Sequence, residues 1–149
     1  MNLEPIGFVK NEVLNPYDRE WGKVISEIIV NENYVSGLIG LEDFTHAIII
    51  FFMHKASFSK ENHLERHPKR RLDLPKIDIF AQRARHRPNP IGITSVQIIN
   101  VKNNILTVKG LDAIDGTPIV DIKPYFPCFD KIDDAETPSW VEEIMMDYF

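Results

Sequence analysis

Ile91-Gly92-Ile93-Thr94-Ser95-Val96-Gln97-Ile98-Ile99-Asn100-Val101, then Lys102-Asn103-Asn104, then Ile105-Leu106-Thr107-Val108 spell out a hairpin. Both arms are rich in β-branched residues, which pack well on a pleated surface. The polar joint contains asparagine, a residue that tolerates the left-handed backbone of a tight turn. Immediately before the first arm stands Phe80-Ala81-Gln82-Arg83-Ala84-Arg85-His86-Arg87-Pro88-Asn89-Pro90. Proline holds φ at about −65° and pushes the preceding residue toward extended backbone, so Arg87 to Gly92 is stiff. Planar guanidinium groups on a stiff segment suit carboxylates, phosphates and base edges. The plain alternative is a solvated basic turn.

Further from the hairpin the chain continues in short strands. Leu3 to Val9 reads as a first strand, with Pro5 suggesting an edge. Asn15-Pro16-Tyr17-Asp18 is a turn signal and Val24 to Val30 a strand. Asn31 to Leu41 has room for one helical turn between glycines. Ala47-Ile48-Ile49-Ile50-Phe51-Phe52-Met53 is the most apolar run. It is too short for a typical helix and fits a strand buried on both faces. Residues 56 to 76 show neither helical nor strand period, and such a length without structure is usually functional or disordered. Ile77 to Phe80 and Pro118 to Tyr125 complete the strands. Thr137-Pro138 reads as an N-cap with Pro at the first helical position. Trp140, Val141, Ile144, Met145 and Tyr148 follow at helical spacing, giving a helix over about 138–148. Strands joined by irregular loops with little helix predict a mainly β chain, a β-barrel.

The 149 residues fit one domain, 1–149, with its core over about 3–130. No apolar run approaches the roughly 18 residues of a membrane span, and no signal-peptide pattern is present. A cytoplasmic protein with no membrane partner is the simplest reading. The single cysteine, Cys128, follows a proline in an apolar context and reads as a packed thiol. The net charge of −5 is unevenly spread. Between His54 and Arg87, ten Lys or Arg stand against four acids, a net of +6; from Asp112 to Phe149, ten acids stand against two lysines, a net of −8. A polyanion responds to the local patch more than to the total.

Beyond the hairpin lies Leu111-Asp112-Ala113-Ile114-Asp115-Gly116-Thr117-Pro118-Ile119-Val120-Asp121-Ile122-Lys123-Pro124-Tyr125. Alone it suggests a turn and a strand. Together with the R-P-N-P-I-G segment at Arg87 to Gly92, it resembles the TrmO family, also called TsaA-like or VirR-like. Gly37 to His46 and Phe52-Met53-His54-Lys55 are similar to a third block of that family. The likeness covers roughly residues 3 to 130. Bacterial members carry a Pro-Arg-Gln-type segment where this chain has Tyr17 to Gly22, which differs. Many also carry a further C-terminal domain, so this chain resembles the short, single-domain form.

The resemblance implies a small antiparallel β-barrel with few short helices and a C-terminal helix. It also implies a homodimer, and an S-adenosyl-L-methionine-dependent methyltransferase acting on N6 of threonylcarbamoyladenosine beside the tRNA anticodon. Spacing alone implies no such cofactor, since there is no G-x-G-x-x-G and no phosphate loop. By resemblance His54, Lys55, Arg83, Ile93, Asp112, Ala113, Ile114 and Asp115 occupy cofactor-contacting positions. Arg83 suits a carboxylate as a bidentate partner, and Asp112 and Asp115 suit an ammonium or ribose hydroxyls. For the base that takes the N6 proton the candidates are His86 and Asp121. His86 equally suits a phosphate contact or a packed role, and Asp121 an outward or arginine-paired one. Lys69, Arg70, Arg71, Arg85, Arg87 and Asn89 are the candidate RNA contacts. A methyltransferase of a small-molecule acceptor and a non-catalytic RNA-binding barrel are the alternatives.

Overall fold

The computed structural model describes residues 2–17 and 20–149. Six strands close into an antiparallel barrel in the order β1-β2-β7-β6-β3-β8. In chain order the elements are β1 (Gly7–Lys10), β2 (Ile25–Val30), β3 (His46–Phe52), α1 (Lys60–His63), β4 (Glu65–Arg66), β5 (Ile77–Asp78), β6 (Ile91–Lys102), β7 (Ile105–Lys109), β8 (Pro118–Pro124), α2 (Pro127–Asp130) and α3 (Ser139–Met145). Short 3-10 turns fall at Glu32–Leu38 and Leu41–Asp43. The mainly β barrel expected from the sequence is present. Of the turn expected over Asn15 to Asp18, Asp18 lies outside the described residues, as does Arg19.

The hairpin forms as its sequence requires. β6 and β7 pair from Lys102↔Ile105 to Gln97↔Lys109, and Asn103 takes a left-handed φ of 55°. Closure comes from β1 pairing with β8 at Gly7↔Ile119 and Phe8↔Pro118. Pro5 therefore lies beside a closed seam, where its carbonyl accepts from Asn31 Nδ2 at 2.9 Å.

β3 departs from the expected two-faced burial. Ala47, Ile49 and Phe51 point into the core, while Ile48 and Ile50 are half-buried and Phe52 is exposed. A barrel strand flanked by two partners satisfies its backbone on both edges but meets the core on one face only. Phe51 lies across Gly92, its cross-strand partner, so closely that a Cβ at Gly92 would stand 2.3 Å from the ring. The glycine of the R-P-N-P-I-G segment thus serves packing. Val9, Ile28, Val30, Val96, Leu106, Val108 and Ile119 complete the interior.

Residues 56–76 are not structureless. They hold α1, β4 and a turn at Pro68–Arg70, and β4 pairs with β5 outside the barrel. Ser59 caps α1 by accepting from Asn62 N–H at 3.3 Å, and Ile79, fully buried, donates its N–H to Leu64 O. These local bonds, invisible to a periodicity test, order the loop. The expected strand over Ile77 to Phe80 ends at Asp78 and becomes a 3-10 turn. At the C-terminal end Pro138, not Thr137, is the N-cap, without a side-chain bond, and α3 stops at Met145. Cys128 sits in α2 and is exposed, correcting its reading as a packed thiol. One acid closes the same short helix: Asp130 Oδ2 accepts from Phe126 N–H at 2.7 Å.

Candidate cofactor site and basic face

β6 is longer than its partner. Its pairing with β7 begins at Gln97, so Ile91 to Val96 bonds to β3 on one edge and has no β7 strand on the other. Arg83 reaches this stretch, donating from Nη2 to Ile93 O at 2.7 Å. Thr94, the next residue, donates from Oγ1 to Asp112 Oδ1. Arg83, Ile93 and Asp112 are thereby gathered around two consecutive residues of β6. Leu111, Ala113 and Ile114 are buried, so the segment after β7 is seated firmly on the barrel.

Asp115 is tied down by a residue that carries no motif. Asn11 donates its N–H to Asp115 Oδ1 at 3.0 Å and its Nδ2 to Ala113 O and Ser26 Oγ, both at 2.9 Å. Val13 O accepts from Asp115 N–H at 2.8 Å, and Leu14 O accepts from Lys55 Nζ at 2.9 Å. The stretch 11–14 thus bridges Lys55, at the exit of β3, to the Asp112–Asp115 segment. His54 beside it is exposed. Asn11, Thr94 and Tyr148, whose hydroxyl donates to Asp112 Oδ2 at 2.7 Å, escaped sequence reading. Their partners are far away in sequence, and no local pattern encodes such bonds.

His86 and Asp121 are not brought together. His86 Nε2 accepts from Arg85 Nε at 3.1 Å, which leaves Nδ1, 2.7 Å from Ser57 O, as the protonated nitrogen of the neutral ring. The ring stacks on His63 at 4.8 Å. Burial pushes the His86 pKa below its ordinary value, and the nearby cations Arg85 and Arg66, with His63, add to this against the Ser57 bond. Asp121 lies on β8, separated from Ile93 by Ile50 of β3. Its carboxylate meets Lys123 Nζ at 2.6 Å, a lysine where the sequence suggested an arginine, and accepts from Ile122 N–H. It lines a separate cleft of about 610 Å³ with Tyr34, Leu38, Ile39 and Phe44.

The basic face is largely engaged within the chain. Lys69 Nζ lies 3.8 Å from Asp147 Oδ1, and Arg71 Nη1 lies 2.6 Å from Glu143 Oε1 while Nη2 bonds Asp73. Asp73 and Glu143 hold the Arg71 guanidinium above its ordinary pKa, and the Arg71 guanidinium in turn holds Asp73 below its own. Lys69 and Arg70 both take left-handed backbone, φ 47° and 59°, a conformation that tertiary contacts must hold in non-glycine residues. Arg87 folds back to donate to Gln82 O and Ala84 O. Arg70 and Asn89 are exposed and Arg85 half-buried. Among the described residues no three His, Cys, Asp or Glu are grouped to hold a metal ion, and no helix is long and apolar enough to cross a membrane.

Residues 14–131 match the family model of the tRNA-methyltransferase O N-terminal domain. The chain is 33% identical over 147 residues to a probable S-adenosyl-L-methionine-binding protein of Archaeoglobus fulgidus, covering 96% of this chain and 38% of that protein. It is 34% identical over 126 residues to the tRNA (adenine(37)-N6)-methyltransferase of Mus musculus, covering 85% of this chain and 28% of that one. The crystal structure of TrmO from Pseudomonas aeruginosa superposes with a TM-score of 0.76 at 27% identity, covering 94% of this chain and 61% of that chain. The chain therefore spans less than two thirds of the length of each of these three proteins.

Proposed function

The chain belongs to the family of the tRNA-methyltransferase O N-terminal domain, and from that premise we propose that it is an S-adenosyl-L-methionine-dependent methyltransferase that N6-methylates threonylcarbamoyladenosine beside the tRNA anticodon. The observation that carries the reading is the stretch of β6 that lacks a β7 partner, with Arg83 on Ile93 O and Asp112 on Thr94. An exposed strand edge offers backbone groups to a flat base. Arg83 offers planar donors to a carboxylate, Asp112 and Asp115 offer acceptors to an ammonium or ribose, and Ala113 and Ile114 an apolar wall. These residues fit the cofactor.

When bound, the cofactor supplies an activated methyl group on a sulfonium. The chain then has to hold the acceptor in line and exclude water, which can lower the barrier by ~7–11 kcal/mol. His86 spends both nitrogens on Ser57 and Arg85, so in this reading it orders the arginine segment and does not remove the proton. Asp121, turned to Lys123, is likewise left out of proton transfer. The tRNA backbone is assigned to Arg70, Arg85 and Asn89, joined by Lys69 and Arg71 once the acids of 143–147 yield. One domain over 1–149 suffices for these parts.

A homodimer is part of the proposal, through a surface other than the apolar face of α3. Trp140, Ile144 and Tyr148 are half-buried within the chain. The rings of Phe126 and Phe44 lie 5.9 Å apart, Ile39 lines a cleft with Phe44, and Phe129, 81% exposed, donates its N–H to Phe126 O. An exposed apolar patch of this kind marks an interface. A small-molecule acceptor is the second reading, favoured by the internal pairing of Lys69 and Arg71. Mass spectrometry of tRNA nucleosides from a deletion strain, with and without the gene restored, separates the two. Loss and recovery of the N6-methylated nucleoside support the proposal, and an unchanged nucleoside profile rejects it.

A further inference from the structure

Tyr148 reaches the site from the far end of the chain. Its hydroxyl donates to Asp112 Oδ2 at 2.7 Å, and Thr94 Oγ1 donates to the other oxygen of the same carboxylate. A carboxylate gripped at both oxygens by two elements has a fixed plane, and its remaining lone pairs point in fixed directions. Tyr148 is itself anchored. Glu20 N–H donates to Asp147 O at 2.7 Å, and Trp21 N–H donates to Tyr148 O at 2.8 Å. A Cβ at Gly22 would stand 2.6 Å from the Phe149 carbonyl carbon, so residues 147–149 run in direct contact with 20–22. Trp21 is only 2% exposed, which gives this contact a rigid floor. Lys69 Nζ lies 5.9 Å over the Tyr148 ring from the other side.

We infer that Tyr148 is a positioning residue for the cofactor, acting through Asp112 by fixing the carboxylate that meets the cofactor's ammonium or ribose hydroxyls. The inference rests on the methyltransferase reading above. A ring that merely fastened residues 147–149 to the barrel would do so equally well as phenylalanine. The hydroxyl is what aims the carboxylate.

The test is calorimetric titration of S-adenosyl-L-methionine into the wild type, Tyr148→Phe, Asp112→Asn and the double variant. Tyr148→Phe keeps the ring over Lys69 and the main-chain bonds, yet its Kd is expected to rise about tenfold, the loss typical of a hydrogen bond to a charged group. In the Asp112→Asn background the same change should add less than about twofold, because its target is gone. The KM for cofactor should rise while kcat at saturating cofactor and the salt dependence of tRNA binding stay unchanged. Gly22→Ala, which displaces Phe149 and Tyr148 with it, should also weaken the cofactor while leaving Asp112 itself intact. Wild-type affinity in Tyr148→Phe, tighter binding, or full independent losses in the double variant would overturn the inference alone. A wild-type protein that binds no cofactor overturns the methyltransferase reading and this inference with it.

Discussion

Arg71 Nη1 lies 2.6 Å from Glu143 Oε1, so the loop richest in basic residues is pinned to α3, an acidic helix of the same chain. Lys69 and Asp147 repeat the relationship at 3.8 Å. A polyanion must compete with these acids before it meets the lysine and the arginine. The acids of both pairs are exposed, so salt screens them and the competition depends on ionic strength.

Replacing Glu143 by Gln and Asp147 by Asn should remove one acidic partner from each of Arg71 and Lys69 and so ease both cations toward tRNA. Each phosphate neutralised in single-stranded RNA contributes about −0.7 to the slope of log affinity against log salt. The double variant should therefore bind more tightly at low salt with a steeper slope. Neutralising Lys69, Arg70 and Arg71 together should flatten the slope while S-adenosyl-L-methionine binding holds. Fluorescence anisotropy across a salt series checks both, and three parallel lines would move the small-molecule reading ahead.

Arg83→Ala removes the guanidinium held on Ile93 O. It should weaken S-adenosyl-L-methionine binding by ~1.5–3 kcal/mol, as loss of a charge-assisted hydrogen bond does. Arg83 is exposed, so the fold should be spared. Calorimetry with unchanged affinity would remove Arg83 from the site.

Gly92→Ala places a methyl group 2.3 Å from the Phe51 ring, against β3, which is held on its other edge by β8. Overpacking of this kind costs ~1–3 kcal/mol. Denaturant titration should show that loss, and Phe51→Leu in the same chain should recover part of it by opening space. A neutral Gly92→Ala would mean that β6, which has no β7 partner at Gly92, moves away from Phe51 at little cost.

His86 should make the fold sensitive to acid. Its folded pKa is depressed below the ordinary 6.5, so as pH falls through that value the unfolded chain takes up a proton that the folded chain refuses. Stability is therefore full above about pH 6.5 and declines below it, until the folded imidazole also titrates. The facing groups are Arg85, Arg66 and His63, all of which oppose its protonation, and Ser57 O, which favours it. NMR of the ring resonances should find His86 neutral at pH 6.5. A midpoint at or above that value contradicts the burial argument.

Phe129→Asp puts a charge on an exposed part of the apolar patch that holds Phe126. Light scattering at tens of micromolar should find a dimer for the wild type and a monomer for the variant. A wild type that stays monomeric would reject the dimer.

The strands, the β6–β7 hairpin and the barrel class were legible because their causes are local. Alternation of apolar residues, β-branching and an Asn-containing joint act within a few residues and need no partner to be recognised. The two motif segments were legible for the same reason: each is contiguous. Ser59 over α1 and the turn at Pro68–Arg70 were local as well, but their signals are single side-chain bonds and not a period, so residues 56–76 looked featureless. What only the tertiary structure decided are the pairs between distant residues. Whether Lys69 faces solvent or Asp147, and whether Asp112 stands alone or is held by Thr94 and Tyr148, depends on where barrel closure by β1 and β8 leaves each loop. The same holds for Cys128 at the surface and for β3 buried on one face. Sequence determines what each segment prefers by itself. Which segment then lies against it is settled by the closing of the barrel, because contact energies between distant residues exist only once the loop entropy between them has been overcome.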